Sequence, residues 1–183
     1  MRFAYADPPY PGYAHYYPEQ TEVNHEDLIS ELVNDFPDGW ALSTSSSALQ
    51  YVLCLCPEDV RVMAWVKPFA SFKPGVNPAY AWEPVIVRGG RPRSKQQMTI
   101  RDWISEPITL RKGIVGAKPP AFCQWLFNVL NIQKEDQLVD MYPGTGVISK
   151  ELDTRFNNLK LFDLDNKVET IKLGKANQEG LDL

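Results

Sequence analysis

Two short stretches of this chain carry residue types that could do chemistry together: Asp7-Pro8-Pro9-Tyr10, and the segment from Asp140 through Tyr142 to Pro143-Gly144-Thr145-Gly146. An amine conjugated to a base ring has a delocalised lone pair and is a poor nucleophile until acceptors draw on its hydrogens. The Asp7 side chain and the Pro8 backbone carbonyl can be those acceptors, because prolines fix the chain direction and leave carbonyls free. Tyr10 offers a flat face on which a flipped-out base can stack. Taken alone, the tetrapeptide is equally a proline-stiffened turn with an aromatic plug. In the second stretch, Gly144 and Gly146 flank Thr145 between a strand ending at Asp140 and a helix, and they let backbone come close to a ligand lying across the strand ends. Ser149 stands where a third glycine of GxGxxG would be, so an adenosyl cofactor fits better than a pyrophosphate-bearing one. Asp163, 23 residues after Asp140, stands where an acid would accept hydrogen bonds from ribose hydroxyls. A lone GxG is otherwise an ordinary strand-to-helix turn.

The elements that must position these residues can be read from hydrophobic periodicity. RFAYA (2–6) is a β-prone run that two prolines stop at Asp7. HEDLISELVNDF (25–36) has helical spacing at Leu28, Leu32 and Phe36, acids in its first turn and Pro37 after its end. GWALSTSS reads as a strand entering a hydroxyl-rich turn, SALQYVLCL as a helix or buried segment, and VRVMAWVK as a strand. Residues 68–80 hold three prolines and a glycine and read as a loop, after which YAWEPVIVRGG is a strand ending at Gly89-Gly90. Residues 91–118 show little periodicity and read as a long loop. AFCQWLFNVLN, with proline in its first turn, predicts a second amphipathic helix. Strand QLVDMY, helix VISKELDTRF and strand LKLFDLD complete an alternation that predicts a parallel sheet with helices on its faces. Trp65, Trp82, Trp103 and Trp125 are expected in the core, and Ser43 to Ser47 as a cap or turn.

The composition, 44% hydrophobic and 23% charged over 183 residues, is that of one globular domain and excludes collagen, coiled coil and a disordered chain. One domain over 1–165 is expected, with a polar tail over 166–183. No apolar run approaches a membrane span and no leader pattern opens the sequence, so a cytoplasmic protein without a membrane partner is expected. Cys54, Cys56 and Cys123 form no disulfide framework, and His15 and His25 are not spaced against them as ligands, so no metal is expected. The net charge of −4 divides unevenly: residues 88–118 carry +6 and the rest −10. A phosphate backbone would be drawn to the first region, which makes Arg88, Arg91, Arg93 and Lys95 candidate nucleic-acid contacts, although such runs are as often solvated loops.

DPPY at a strand end, KPP before an amphipathic helix, and then DMYPGTG together resemble the amino-methyltransferases that act on adenine N6 or cytosine N4. The order, with the DPPY motif before the cofactor motif, is the circularly permuted one. The resemblance extends over most of residues 3–165. The family tetrapeptide (D/N/S)PP(Y/F/W) is matched by Asp7, Pro8, Pro9 and Tyr10, and its DxFxGxG turn by Asp140, Tyr142, Gly144 and Gly146, with Tyr in place of Phe. GIVGAKPPAFCQWLF is similar to the family's cofactor-proximal helix start, which implies that Lys118, Pro119 and Phe122 lie near S-adenosylmethionine. MAWVK and AWEPVIV resemble, more weakly, strands of phage-type adenine methyltransferases and assign no role to Lys67 or Glu83. Segment 68–117 is the stretch that could recognise a substrate, shorter than the insertion usual in the family, and one or two strands common in the family are expected to be missing or weak.

The resemblance implies an α/β, Rossmann-like methyltransferase sheet with helices on both faces, S-adenosylmethionine as cofactor, and adenine N6 in DNA as the first acceptor. It implies the host cytoplasm if the chain is phage-encoded. An RNA adenine, a cytosine N4 or a glutamine amide shares the same delocalised nitrogen and stays open. So does an inactive nucleic-acid-binding or regulatory subunit partnered with an active paralogue, and a homodimer or such a heterodimer could cover the short sheet edge.

Overall fold

A computed structural model describes residues 1–12, 14–16, 21–68, 75–108 and 117–157. Its strands are β1 (Arg2–Ala6), β2 (Gly39–Ser43), β3 (Arg61–Val66), β4 (Trp82–Gly89), β5 (Trp103–Ser105) and β6 (Gln137–Asp140). Its helices are α1 (His25–Asp35), α2 (Leu49–Leu55), α3 (Pro120–Leu130) and α4, helical from 147 through 157. The predicted strand 159–165 with Asp163, and the polar tail 166–183, lie outside the described residues.

Local chemistry sets the helix ends. The Asn24 side chain accepts from the backbone N–H groups of Glu26 and Asp27 and starts α1. Pro120 opens α3, where a missing N–H costs nothing, and Asn131 closes it in the left-handed region with φ 55°. Ser45 Oγ accepts from Ala48 N–H within the serine turn that precedes α2, whose own cap position, Ala48, makes no side-chain bond.

The sheet order is β5-β3-β4-β2-β1-β6. β1 pairs in parallel with both β2 and β6, and β3 with β5, but β4 runs antiparallel to β2 and β3. The expectation of a parallel sheet is therefore corrected to a mixed one. A parallel return needs a crossover of helix length, and the proline-rich connection between β3 and β4 carries no helical period, so the chain turns straight back. The region read as a long loop also holds β5, whose three residues were too few to show a period.

Alternation along the strands sorts two cores. Phe3, Tyr5, Met63, Trp65, Val85 and Val87 face α3 and α4, while Ala4, Trp40, Leu42 and Ile86 face α1 and α2. Helices thus cover both faces, as expected. Trp65 and Trp125 are core residues, but Trp82 and Trp103 are 39% and 43% exposed. Both lie on the α1 side of the β4-β3-β5 edge, beyond the reach of α1 and α2, so their expected burial is corrected.

Gly39 and Gly89 face each other where β2 meets β4, and a Cβ on Gly39 would stand 2.4 Å from the Gly90 backbone nitrogen. Backbone cannot retreat as a flexible side chain can. Gly39→Ala is expected to cost about 2 kcal/mol or more, whereas Gly75→Ala, strained but open, costs about 1. Urea unfolding of both variants measures the difference.

Candidate active site

β1 and β6 are neighbours with Tyr5 opposite Asp140, and the Met141 N–H donates to the Tyr5 carbonyl at 2.9 Å. Asp7 and the glycine turn therefore leave adjoining strand ends. The helix after β1 packs on one face of the sheet and the helix after β6 on the other, so the two chain paths diverge. Divergence at the carboxyl ends of parallel strands opens the crevice in which open α/β sheets hold ligands.

Asp7 stands at the start of this crevice with its side chain 24% exposed. Both of its carboxylate oxygens lie 2.9 Å from Lys118 Nζ. Lys118 is buried, and its ammonium also donates to Glu83 Oε1 at 2.7 Å. Glu83 in turn accepts from Lys67 Nζ at 2.8 Å through its other oxygen. Lys118 and Lys67 stand 5.4 and 4.6 Å from the Trp65 ring centre, where the π face favours cations. The result is a four-group chain, Asp7-Lys118-Glu83-Lys67, in which each charge touches its opposite.

These contacts set the protonation tendencies. Burial raises the Asp7 carboxyl above its ordinary value, and Lys118 only partly opposes this. Burial also pulls Glu83 upward, but two lysines outweigh it and hold this carboxyl low. Burial disfavours the Lys118 cation, yet Asp7 and Glu83 together raise its pKa well above the usual lysine range. Tyr10, half-buried beside this cluster, has its phenol raised by burial first, with the negative charges of Glu83 and Asp7 adding to the shift. Tyr5 bonds Ser43 Oγ at 2.9 Å behind Asp7, and burial raises its phenol too.

On the β6 side, Asp140 Oδ1 is buried without a hydrogen-bond partner. Burial, with Asp7 adding repulsion, pushes the Asp140 carboxyl up to about 6. Gly144 and Gly146 adopt φ of +45° and +67°, and a Cβ on Gly146 would point into open space. Thr145 and Tyr142 are half-buried beside them.

The DPPY and glycine-turn residues are thus brought together, and the other expected site residues lie deeper or farther off. Phe122 is fully buried against Tyr5, Trp65 and Trp125, so it backs Lys118 from the core and offers no surface to a ligand. Lys118 itself is spent on two carboxylates. Arg88, opposite Trp40, pairs with Asp59, and Arg91 pairs with Asp136 beside the start of β6, at the other end of the sheet. From Asp7 down to the level of Asp136 is about six strand residues, or roughly 20 Å. Arg93 donates to the carbonyl oxygens of Met98 and Asn128, and exposed Lys95 lies in the same stretch. Three of these four candidate nucleic-acid contacts, Arg88, Arg91 and Arg93, thus also have partners within the chain. Sequence reasoning assigned no role to Glu83 and Lys67. A lone glutamate inside the apolar strand AWEPVIV was the signal, because a buried carboxylate requires a partner.

No family model matches the chain, and no curated protein matches it either. Among solved structures, the crystal structure of the M1.HpyAVI-SAM complex is similar over 84% of this chain and 77% of that one, at 15% identity and a TM-score of 0.57. The likeness is one of fold, an α/β Rossmann-like sheet with helices on both faces. A crystal structure of M1.HpyAVI is also similar, at 15% identity and a TM-score of 0.52 over 83% of this chain.

Asp140 generates a stability prediction. Its folded pKa of about 6 exceeds the ordinary 3.8, so its favourable contribution is present below about pH 4 and lost as pH rises through 6. Asp140→Asn is expected to melt at higher temperature than the parent at pH 8, and the advantage should vanish at pH 4. Equal melting temperatures at both values would contradict the buried, unpartnered oxygen.

Proposed function

We propose that this chain is an S-adenosylmethionine-dependent methyltransferase acting on the exocyclic amine of a nucleic-acid base, with adenine N6 in DNA as the acceptor. The observation that carries the reading is the meeting of Asp7 and the 140–146 turn at adjoining strand ends, although 133 positions separate Asp7 from Asp140. Support also comes from the similar solved structures, one of which is a complex with SAM.

The residues present fit the cofactor. Asp140 has a buried acceptor oxygen without a partner, and the left-handed glycines leave open space beside the turn. In this reading Asp140, Tyr142, Gly144, Thr145 and Gly146 hold the cofactor, which supplies an electrophilic methyl group when bound. The protein's own residues prepare the amine. Asp7 and the Pro8 carbonyl accept its hydrogens and draw the nitrogen towards tetrahedral geometry, and Pro9 fixes the direction of the chain between them and Tyr10. Tyr10, half-buried beside the cluster, presents a ring on which the flipped base stacks. Positioning of this kind is the main contribution open to an enzyme whose cofactor brings the driving force. Exposed Trp82 and Trp103 belong to the 68–117 stretch, which in this reading meets the substrate.

Incubation with labelled cofactor and a panel of DNA and RNA, followed by nucleoside mass spectrometry, tests the proposal. N6-methyladenosine in its deoxy form is expected; a methylated RNA nucleoside or N4-methylcytosine would move the acceptor, and no product at all points to a non-catalytic subunit. Asp7→Ala should reduce methyl transfer by roughly 100-fold or more while calorimetry with S-adenosylmethionine stays near the parent value. Turnover at the parent rate in that variant would remove Asp7 from the reaction.

A further inference from the structure

We propose that Lys118 is a positioning residue for Asp7: clamped between Asp7 and Glu83, its ammonium keeps the Asp7 carboxylate charged and aimed across the end of β1. The rate effects expected below rest on the proposed function, but the charge coupling itself does not. The resemblance to known methyltransferases implies a place for Lys118 beside the cofactor. The geometry assigns it to the acceptor carboxylate instead.

Three observations carry this. Lys118 Nζ is equidistant, at 2.9 Å, from the two oxygens of Asp7, so it opposes rotation of the carboxylate about its own bond. Lys118 cannot drift, because Glu83 Oε1 holds it at 2.7 Å and the rings of Trp65 and Phe122 stand 5.4 and 5.8 Å from the same nitrogen. Glu83 is fixed in turn by Lys67 at 2.8 Å, so the aim of Asp7 is set through three successive contacts from β4 and the end of β3. A single carboxylate at a crevice mouth would be free to turn towards water. One oxygen lone pair on each side of the Lys118 contact stays available for an incoming amine hydrogen.

Among the described residues, the charged or titratable groups facing Asp7 are Lys118 ahead of α3, Glu83 on β4, Lys67 after β3, Asp140 at the end of β6, Tyr5 on β1 and Tyr10 in its own loop. Removing the cation and removing the neighbouring anion must therefore move Asp7 in opposite directions. A site in which Lys118 merely fills space predicts no movement.

The test is a carbon-13 carboxyl titration of aspartate-labelled full-length chain, with Asp7 assigned by Asp7→Asn. Lys118→Met is expected to raise the Asp7 midpoint by about one to three units, the usual reach of an opposite charge in contact, and Glu83→Gln to lower it. In the methyl-transfer assay, Lys118→Met should lose roughly 100-fold in kcat, with its acid limb moved to higher pH and KM for the methyl donor little changed. Asp7 midpoints that do not move in either variant overturn the proposal. So does a Lys118→Met enzyme that keeps its kcat while KM for the methyl donor rises, because that lysine would then touch the donor. Where Lys118→Met fails to fold, Glu83→Gln decides alone, since it keeps an acceptor for Lys118 and removes only charge. A parent protein that transfers no methyl overturns the proposed function, and the titration still judges Lys118.

Discussion

A buried ammonium between two carboxylates organises this molecule. Lys118 brings the segment before α3 into contact with the end of β1 and the beginning of β4, three pieces of chain that share no strand pairing at those residues. Burying one such charge without partners would cost several kcal/mol, so the elements that supply the partners must arrive together. The requirement explains why the aromatic side of the core gathers at this point. Trp65, Phe122 and Tyr5 exclude water around the cluster, and Trp65 Nε1 is itself satisfied by the Glu106 carbonyl at 2.8 Å. Packing and charge are solved by the same residues.

The crevice has two unlike walls. On the β1 side every charge is matched, and the fourth group, Lys67, carries the chain outward to a side chain 22% exposed. On the β6 side Asp140 has a buried oxygen with nothing to accept from, which is costly in a folded protein and is retained mostly where a ligand completes the set. A matched carboxylate next to an unmatched one makes the two sides electrostatically unlike: one is held by its partners, the other leaves an acceptor unused. The contrast is local, because Asp7 also raises the energy of the Asp140 anion.

Most of the elements were legible in the sequence, because each carries its own period. The apolar positions of α1 and α3, the proline stop after β1 and the glycine turn after β6 are local features, and local features are what periodicity reports. Long-range direction is not local. Nothing within WEPVIVRG says that it runs against its neighbours, and WIS is too short to announce a strand. Charge counting at 88–95 is limited for the same reason: it gives the sum over the segment, but only the fold shows that Arg88 sits opposite Trp40 and pairs with Asp59. The pairing of Lys118 with a carboxylate 111 positions away could be suspected only from the oddity of Glu83 in an apolar strand.

The reversed strand has a consequence for how this surface can change. Since β4 runs back, the connection from β3 to β4 opens on the rim where Asp7 stands, not on the far side where the arginines lie. Doubling the length of such a connection costs only about 0.6 kcal/mol in closure entropy. New sequence can therefore accumulate over the crevice while the strands below keep their alignment, which makes this hairpin the natural place for the molecule to acquire a different selectivity.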